Sequence, residues 1–371
     1  MLPAMTDSAL WKLEPHTAAK HRVLRSYLDA WLPAMGHQSQ HIGHAKPRLL
    51  LVDGFAGPWR YTTGEAGSPI IMLDALLSHS DLDALASVQF KFLFIEHDKA
   101  RVEHLRKEVA ELGRLPDNVE VNIEHGEFES TFSSVVDPII EKGTRLIPTF
   151  AFIDPFGYSS ASMSITGRLL GFPRCEMLFF LPMSFIHRFV ARPGQEVALT
   201  SLFGTEEWRT AIPLQGDERT AFLLGLFERQ LEQSKGVEYV RSFQLRTQDG
   251  QDYRLVFSLG HLKGLEKAKD AMWKVDPMAG TSYTATTESG QEVLFGPEDT
   301  IDTAPLLAEL RSQFGTGWFT IDQADRCTLV DTPFRKAHLR TLTLRPAEQE
   351  GKLEVQRSGR GFKDAKMRFC L

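Results

Sequence analysis

Cysteine is scarce in this chain: there are three in 371 residues, Cys175, Cys327 and Cys370, far apart and without grouped histidines. That spacing suits neither a disulfide framework nor a zinc site, so the thiols read as buried or idle. His37, His41 and His44 have no cysteine or carboxylate companions at ligand spacing; they read as loop residues, and no metal is expected. Long apolar runs are missing too. The stretch from Met177 to Met183 falls far short of the roughly 20 residues that cross a bilayer, and Pro182 interrupts it. Near the N-terminus Asp7, Lys12 and Glu14 stand among apolar residues, without the basic start, apolar centre and small-residue cleavage site of a secretory signal. No membrane partner is expected, and the expected location is the cytoplasm. There is no Gly-Lys-Ser of a phosphate loop and no complete G-x-G-x-x-G of a dinucleotide site.

What is present is ample apolar material, 42% of the residues, enough for one large domain and a small one. The net charge of −6 argues against a chain that coats nucleic acid over its whole surface. The charge is unevenly placed, however. From Pro333 to Leu371 there are ten basic residues against four acidic ones, a net of +6 that leaves about −12 on the remainder.

Apolar residues at Val23, Leu24, Tyr27, Leu28, Trp31 and Leu32 follow helical spacing over 16–35, with Pro33 expected to close the run and a loop expected over 37–47. Leu49 to Val52 then reads as a strand buried on both faces, ending in Asp-Gly. Similar strands are expected at Phe90 to Ile95, Val119 to Ile123, Thr149 to Ile153 and Met177 to Leu181. Helices are expected between them at Ser68 to Leu77, Lys99 to Leu112 and Phe128 to Lys142. That alternation predicts an α/β fold with a doubly wound, Rossmann-like sheet. Val237 to Leu245 and Asp252 to Leu259 flank a Gln248-Asp249-Gly250 turn and predict an antiparallel hairpin, followed by a helix carrying Leu262, Leu265, Ala268, Met272 and Trp273 on one face. Residues 275–302 read as a linker, which sets domains at 1–285 and 303–371. In the second, a helix (Leu306 to Phe314), a short strand (Gly317 to Thr320), helices over 321–329 and 333–344, and a hairpin of Leu353 to Val355 with Met367 to Phe369 follow the order of a winged helix.

Three strand ends carry the chemistry. Asp53-Gly54-Phe55-Ala56-Gly57 is a strand followed by a glycine turn, where backbone N–H groups can approach a ligand closely. Glu96, closing the second strand, has two oxygens to match two ribose hydroxyls; its distance from Asp53 along the chain implies an enlarged loop around Thr62 to Ser68. Glu127, after the third strand, reads equally as a neighbour of adenine or as a solvated acid. At the fourth, Asp154-Pro155 presents a carboxylate and a carbonyl that can both accept from one exocyclic amino group, and an aromatic beyond it, Phe156 or Tyr158, can stack on a base swung out of its strand. In the small domain Arg335, Lys336 and Arg340, with Arg357 and Arg360, are placed to suit phosphate contacts from a helix and a wing.

Several blocks together resemble the three-Cys-motif partner proteins, a bacterial family with a class I methyltransferase fold and a C-terminal winged helix. The blocks are His16-Thr17-x-x-Lys20-His21, Tyr27-Leu28-x-x-Trp31-Leu32-Pro33, Asp53 to Pro58, Gly67-Ser68-Pro69, Phe152 to Gly157 and Met272 to Pro277. A more distant similarity is to bacterial adenine-N6 methyltransferases of large-subunit ribosomal RNA. These resemblances imply S-adenosylmethionine (SAM) as cofactor, Lys20 as the contact for its carboxylate, Asp154 with Pro155 as the holder of a target amino group in RNA or DNA, and a partner with a three-cysteine, radical-SAM-like motif. The chain departs from the ribosomal enzymes in two places: Trp59 stands where the turn would have its second glycine, and Asp-Pro-Phe-Gly replaces Asp-Pro-Pro-Tyr. The functions left in competition are a nucleobase methyltransferase, a non-catalytic SAM- or nucleic-acid-binding partner protein and, third, a NAD-dependent oxidoreductase.

Overall fold

A computed structural model describes residues 13–41, 47–57, 59–285, 301–357, 359 and 361–370. His44, Pro58, Arg360 and residues 286–300 of the expected linker lie outside the described residues. The chain divides into two compact units, 1–260 with 283–286, and 261–282 with 287–371. The helix expected before the linker therefore groups with the second unit.

The first unit begins with α1 (Pro15–His41), β1 (Arg48–Asp53), α2 (Ser68–Leu77), β2 (Gln89–Glu96), α3 (Lys99–Glu111), β3 (Val119–His125), α4 (Phe128–Glu141) and β4 (Thr149–Ile153). It continues with α5 (Met163–Leu170), β5 (Cys175–Leu181), α6 (Met183–Phe189), α7 (Glu196–Phe203), α8 (Gly216–Glu232), β6 (Tyr239–Arg246) and β7 (Asp252–Leu259). With the short β8 (Ser282–Thr284) the strands form one sheet in the order β3-β2-β1-β4-β5-β7-β6-β8. The first five are parallel, β7 runs antiparallel to β5, and β6 antiparallel to β7 in the expected hairpin. The central strands β1, β4 and β5 are apolar and buried on both faces because helices cover both, whereas the edge strand β3 is half exposed. Strand order reverses between β1 and β4, and in such sheets the crevice at the carboxyl ends beside that reversal is where ligands bind. The sequence reading places no element between Leu181 and Val237, where α6, α7 and α8 lie.

Helix α1 does not stop at Pro33 but runs to His41, so 37–41 is helix rather than loop. A proline inside a helix removes one N–H and vacates the carbonyl four residues back. That carbonyl, of Asp29, is met by the ring of His79 at 2.8 Å, so the interruption leaves no stranded acceptor. The buried face of α1 is fixed by Tyr27, whose hydroxyl donates to Glu176 on β5 at 2.7 Å and whose ring lies 5.5 Å from Phe150 and 4.9 Å from Phe257. Burial raises the pKa of the Glu176 carboxyl, against the pull of its hydrogen bonds from Tyr27 and Trp31.

The second unit holds α9 (Leu262–Val275), α10 (Ala304–Phe314), β9 (Phe319–Thr320), α11 (Ile321–Asp331), α12 (Lys336–His338), α13 (Arg345–Gln349), β10 (Leu353–Gln356) and β11 (Lys366–Phe369). Its strands form an antiparallel sheet in the order β10-β11-β9. The single helix expected over 333–344 is instead α12, a π-helical turn (Leu339–Leu344) and α13. Pro346 accounts for the widening: it vacates the Leu342 carbonyl, which accepts from the Thr303 hydroxyl at 2.9 Å. Lys269 of α9, 1% exposed, donates to the carbonyls of Thr328 (2.9 Å), Thr332 (2.5 Å) and Phe334 (2.9 Å), gathering the end of α11 and the chain after it onto one ammonium group. These carbonyls lie at and beyond a helix C-terminus, where a cation is favoured. Replacing Lys269 by Met keeps the length but removes the donor from three carbonyls, of which Thr328 keeps the Thr332 hydroxyl at 2.7 Å, and should cost about 2–4 kcal/mol in denaturant unfolding of the second unit. A variant as stable as the parent would show that the ammonium does not hold this unit together.

Candidate active site

The turn after β1 is laced to both neighbouring strands. Gly54 N–H donates to the Phe152 carbonyl of β4 at 3.0 Å, and Ala56 N–H to the Ile95 carbonyl of β2 at 2.9 Å. Two glycines serve it differently. A Cβ on Gly54 would lie 2.7 Å from the Phe128 ring and 3.0 Å from Ile153, so close packing requires glycine there, whereas Gly57 has φ +59°. Phe55, half buried, lies against Phe128 with ring centroids 5.4 Å apart. Gly57 N–H donates to Glu96 Oε2 at 2.9 Å, and Asp98 N–H to Glu96 Oε1 at 2.8 Å. Glu96 thus braces the glycine turn from the tip of β2, and His97 Nδ1 and the Arg101 guanidinium lie 3.2 and 3.6 Å from its Oε1.

Asp53 is fully buried at the tip of β1. Its Oδ1 accepts from Phe55 N–H at 3.1 Å, while Oδ2 has no hydrogen-bond partner among the described residues. Burial pushes its pKa up to about 7, opposed by the Ser68 hydroxyl and the Phe55 N–H. A buried acceptor without a partner at a strand tip suits a polar ligand group.

At the tip of β4, Asp154 forms an ion pair with Lys20 of α1. Lys20 is buried, its ammonium 4.4 Å from the centre of the Phe180 ring. Phe180 stacks on Tyr253 at 5.0 Å, and Tyr253 on His16 at 5.0 Å with the rings parallel to within 1°. This aromatic floor beneath the acid went unassigned in the sequence. Its one legible signal was the i, i+4 spacing that puts His16 and Lys20 on the same face of α1. Tyr61 also belongs here: burial and the nearby charges of Asp154 and Asp53 raise the pKa of its hydroxyl, and its ring lies 5.9 Å from His21, whose buried imidazole is held well below the usual histidine pKa.

The remaining candidates separate. Pro155 is buried, while Phe156 is 56% exposed, with the Arg101 guanidinium 5.5 Å from its ring centre. Tyr158 is buried, its hydroxyl donating to Gln195, so of the two aromatics only Phe156 is exposed. Glu127 is exposed at the start of α4. Trp59, at the departure from the glycine pattern, is 1% exposed and part of the core. The enlarged loop is a small turn closed by an Arg60 to Ala66 bridge. In the second unit the expected phosphate contacts are engaged by neighbours. Lys336 lies 3.4 Å from Glu266, Arg340 2.8 Å from Asp325 and Arg357 2.5 Å from Glu348, and Arg335 rests on Trp273 and reaches His338 at 3.1 Å. Such half-exposed pairs contribute little and exchange readily.

No family model and no curated protein matches the chain. Among solved structures it is similar to a protein of Porphyromonas gingivalis W83 assigned as a methyltransferase, at TM-score 0.27 and 14% identity over 62% of this chain and 40% of that one. It is also similar to the CMeT domain of the citrinin polyketide synthase, at TM-score 0.27 and 12% identity over 58% of this chain and 46% of that one. A third is spermidine synthase in complex with the transition-state analogue AdoDATO, at TM-score 0.30 and 10% identity over 77% of this chain and 74% of that one. The chain spans less than half the length of the first two. The fold itself rests on the strand order.

Asp53 gives this site a measurable signature. Its folded-state pKa of about 7 lies above the ordinary value of 3.8, so folding favours the protonated form. The stability it contributes is complete below the ordinary pKa and is lost as pH rises through about 7. Asp53→Asn should therefore raise the melting temperature more at about pH 8 than at about pH 5. An equal effect at both would place the carboxyl in a solvated setting.

Proposed function

We propose that the chain is a SAM-dependent methyltransferase acting on an amino group of a nucleobase in RNA or DNA. The observation that carries this reading is the buried, unpartnered oxygen of Asp53 beside the glycine turn, at the point where strand order reverses. The sequence resemblance to three-Cys-motif partner proteins and to adenine-N6 methyltransferases agrees with it. SAM would supply an electrophilic methyl group. Asp53 through Gly57 would hold its methionine end, Glu96 its ribose hydroxyls, and Glu127 would border the adenine. Lys20, with three N–H donors, would meet its carboxylate while keeping Asp154 in place.

Asp154 and its carbonyl would accept the two N–H bonds of the target amino group, aiming the nitrogen lone pair at the methyl. Phe156 would stack on the extruded base. From α10 to β11 the second unit runs helix, strand, helices and a hairpin, which we read as a winged helix, and its basic residues would contact phosphates by exchanging their present carboxylate partners. Binding without catalysis, in the service of a radical-SAM-like partner, is the second reading. The Phe-Gly that follows Asp154-Pro155, in place of Pro-Tyr, favours it.

Incubation with methyl-labelled SAM and separate RNA, DNA and protein fractions tests the proposal. Label should enter nucleic acid, and Asp154→Asn should lower transfer at least a hundredfold, since the acid acts on the acceptor. Label in protein alone, or undiminished transfer by the variant, would overturn the assignment.

A further inference from the structure

A cavity of about 430 Å³ opens between α6, the start of α8 and the β6–β7 turn, and none of the candidate site residues described above lines it. It lies on the side of the sheet that α6 and α8 cover, at the same edge as Asp154. Asp252, in its wall, immediately precedes Tyr253 of the aromatic floor, and alternation along a strand turns the two side chains to opposite faces.

The cavity wall carries unmet hydrogen-bonding capacity. His187 Nε2 and Asp252 Oδ1 are both buried without a partner among the described residues. Asp252 is held firmly all the same: its other oxygen pairs with Arg254 at 2.8 Å, and its N–H donates to the Ser184 hydroxyl oxygen at 2.7 Å. Arg188 and Arg246, both exposed, supply two guanidinium groups at the opening. A nucleotide offers matching groups for the acceptor-only oxygen, the imidazole nitrogen and the two guanidinium groups of a wall that also holds Asp217. Its phosphate takes the arginines, and its sugar hydroxyls or base N–H groups donate to Asp252.

We infer that this cavity is a nucleotide subsite, holding the residue next to the methylated one where a nucleic-acid strand crosses the sheet edge. The inference rests on the nucleic-acid reading of the site, but its chemistry can be tested without methyl transfer. The full-length chain is titrated by calorimetry with the 5′-monophosphates of adenosine, guanosine, cytidine and uridine, with the unphosphorylated nucleosides, with inorganic phosphate, and separately with SAM. At least one monophosphate should bind roughly tenfold or more tighter than its nucleoside and than inorganic phosphate, as expected for charge-assisted bonds to a phosphate. The paired substitution Arg188→Ala and Arg246→Ala should abolish the advantage over the nucleoside, and His187→Phe should weaken the monophosphate several fold. SAM affinity should be the same in all of these variants.

Monophosphate binding that the substitutions leave intact would overturn the subsite. So would binding no tighter than that of inorganic phosphate. Phosphate-dependent nucleotide binding that responds to the variants, in a chain that does not bind SAM, would uphold the subsite and remove the methyltransferase reading instead.

Discussion

The ion pair between Lys20 and Asp154 joins residues 134 positions apart, and the arrangement of the candidate site depends on it. Lys20 brings a positive charge from the first helix into a setting of Phe152 and Phe180, where an unpaired ammonium would be costly. Its partner is the acid at the tip of β4. Helix α1 can therefore dock only in a position that places Lys20 over the crevice, and Tyr27 with Glu176 fixes the same position about two turns further along. The helix is as much a wall of the site as the strand tips are.

Two acids close to this pair live in different surroundings. Glu96 accepts one backbone N–H on each oxygen and acts as a brace between β2 and the glycine turn. Asp53 is just as deep, yet one of its oxygens is unmatched and its pKa is pushed up to about 7. A group held at a cost to folding, at the point of the sheet where ligands gather, is better explained by binding than by packing.

Much of the first unit was legible because burial on both faces writes parallel strands as continuous apolar runs, and the tips of β1 to β4 were marked by an acid or a glycine. Strands β4 and β7 fall on the residues expected, and α2 does too. Local rules failed where a distant residue repaired a local defect. Pro33 reads as a helix stop, but His79 takes up the carbonyl it vacates; Pro346 is accommodated by Thr303 in the same way. The apolar spacing of Leu223, Leu226, Phe227 and Leu231 was a readable signal for α8, whereas α6 and α7, at seven and eight residues, are too short for periodicity to mark. In the site, the strand-end acids could be found because position along a strand is a sequence property. The pairing of Lys20 with Asp154 and the engagement of Tyr158 by Gln195 are tertiary facts. So is the loss of free charge on the basic cluster: a count of arginines from Pro333 onward cannot show that Asp325, Glu266 and Glu348 face them.

The most direct test of the account is hydrogen exchange of the full-length chain with and without SAM. The site described here predicts slowed exchange at the amides of 54–57 and 96–98, with smaller effects at 154–156 and in the first turns of α1, and none in α10 to β11. Unchanged exchange at the glycine turn in the presence of saturating SAM, or protection confined to the second unit, would contradict the central claim that the β1–β4 crevice is the cofactor site.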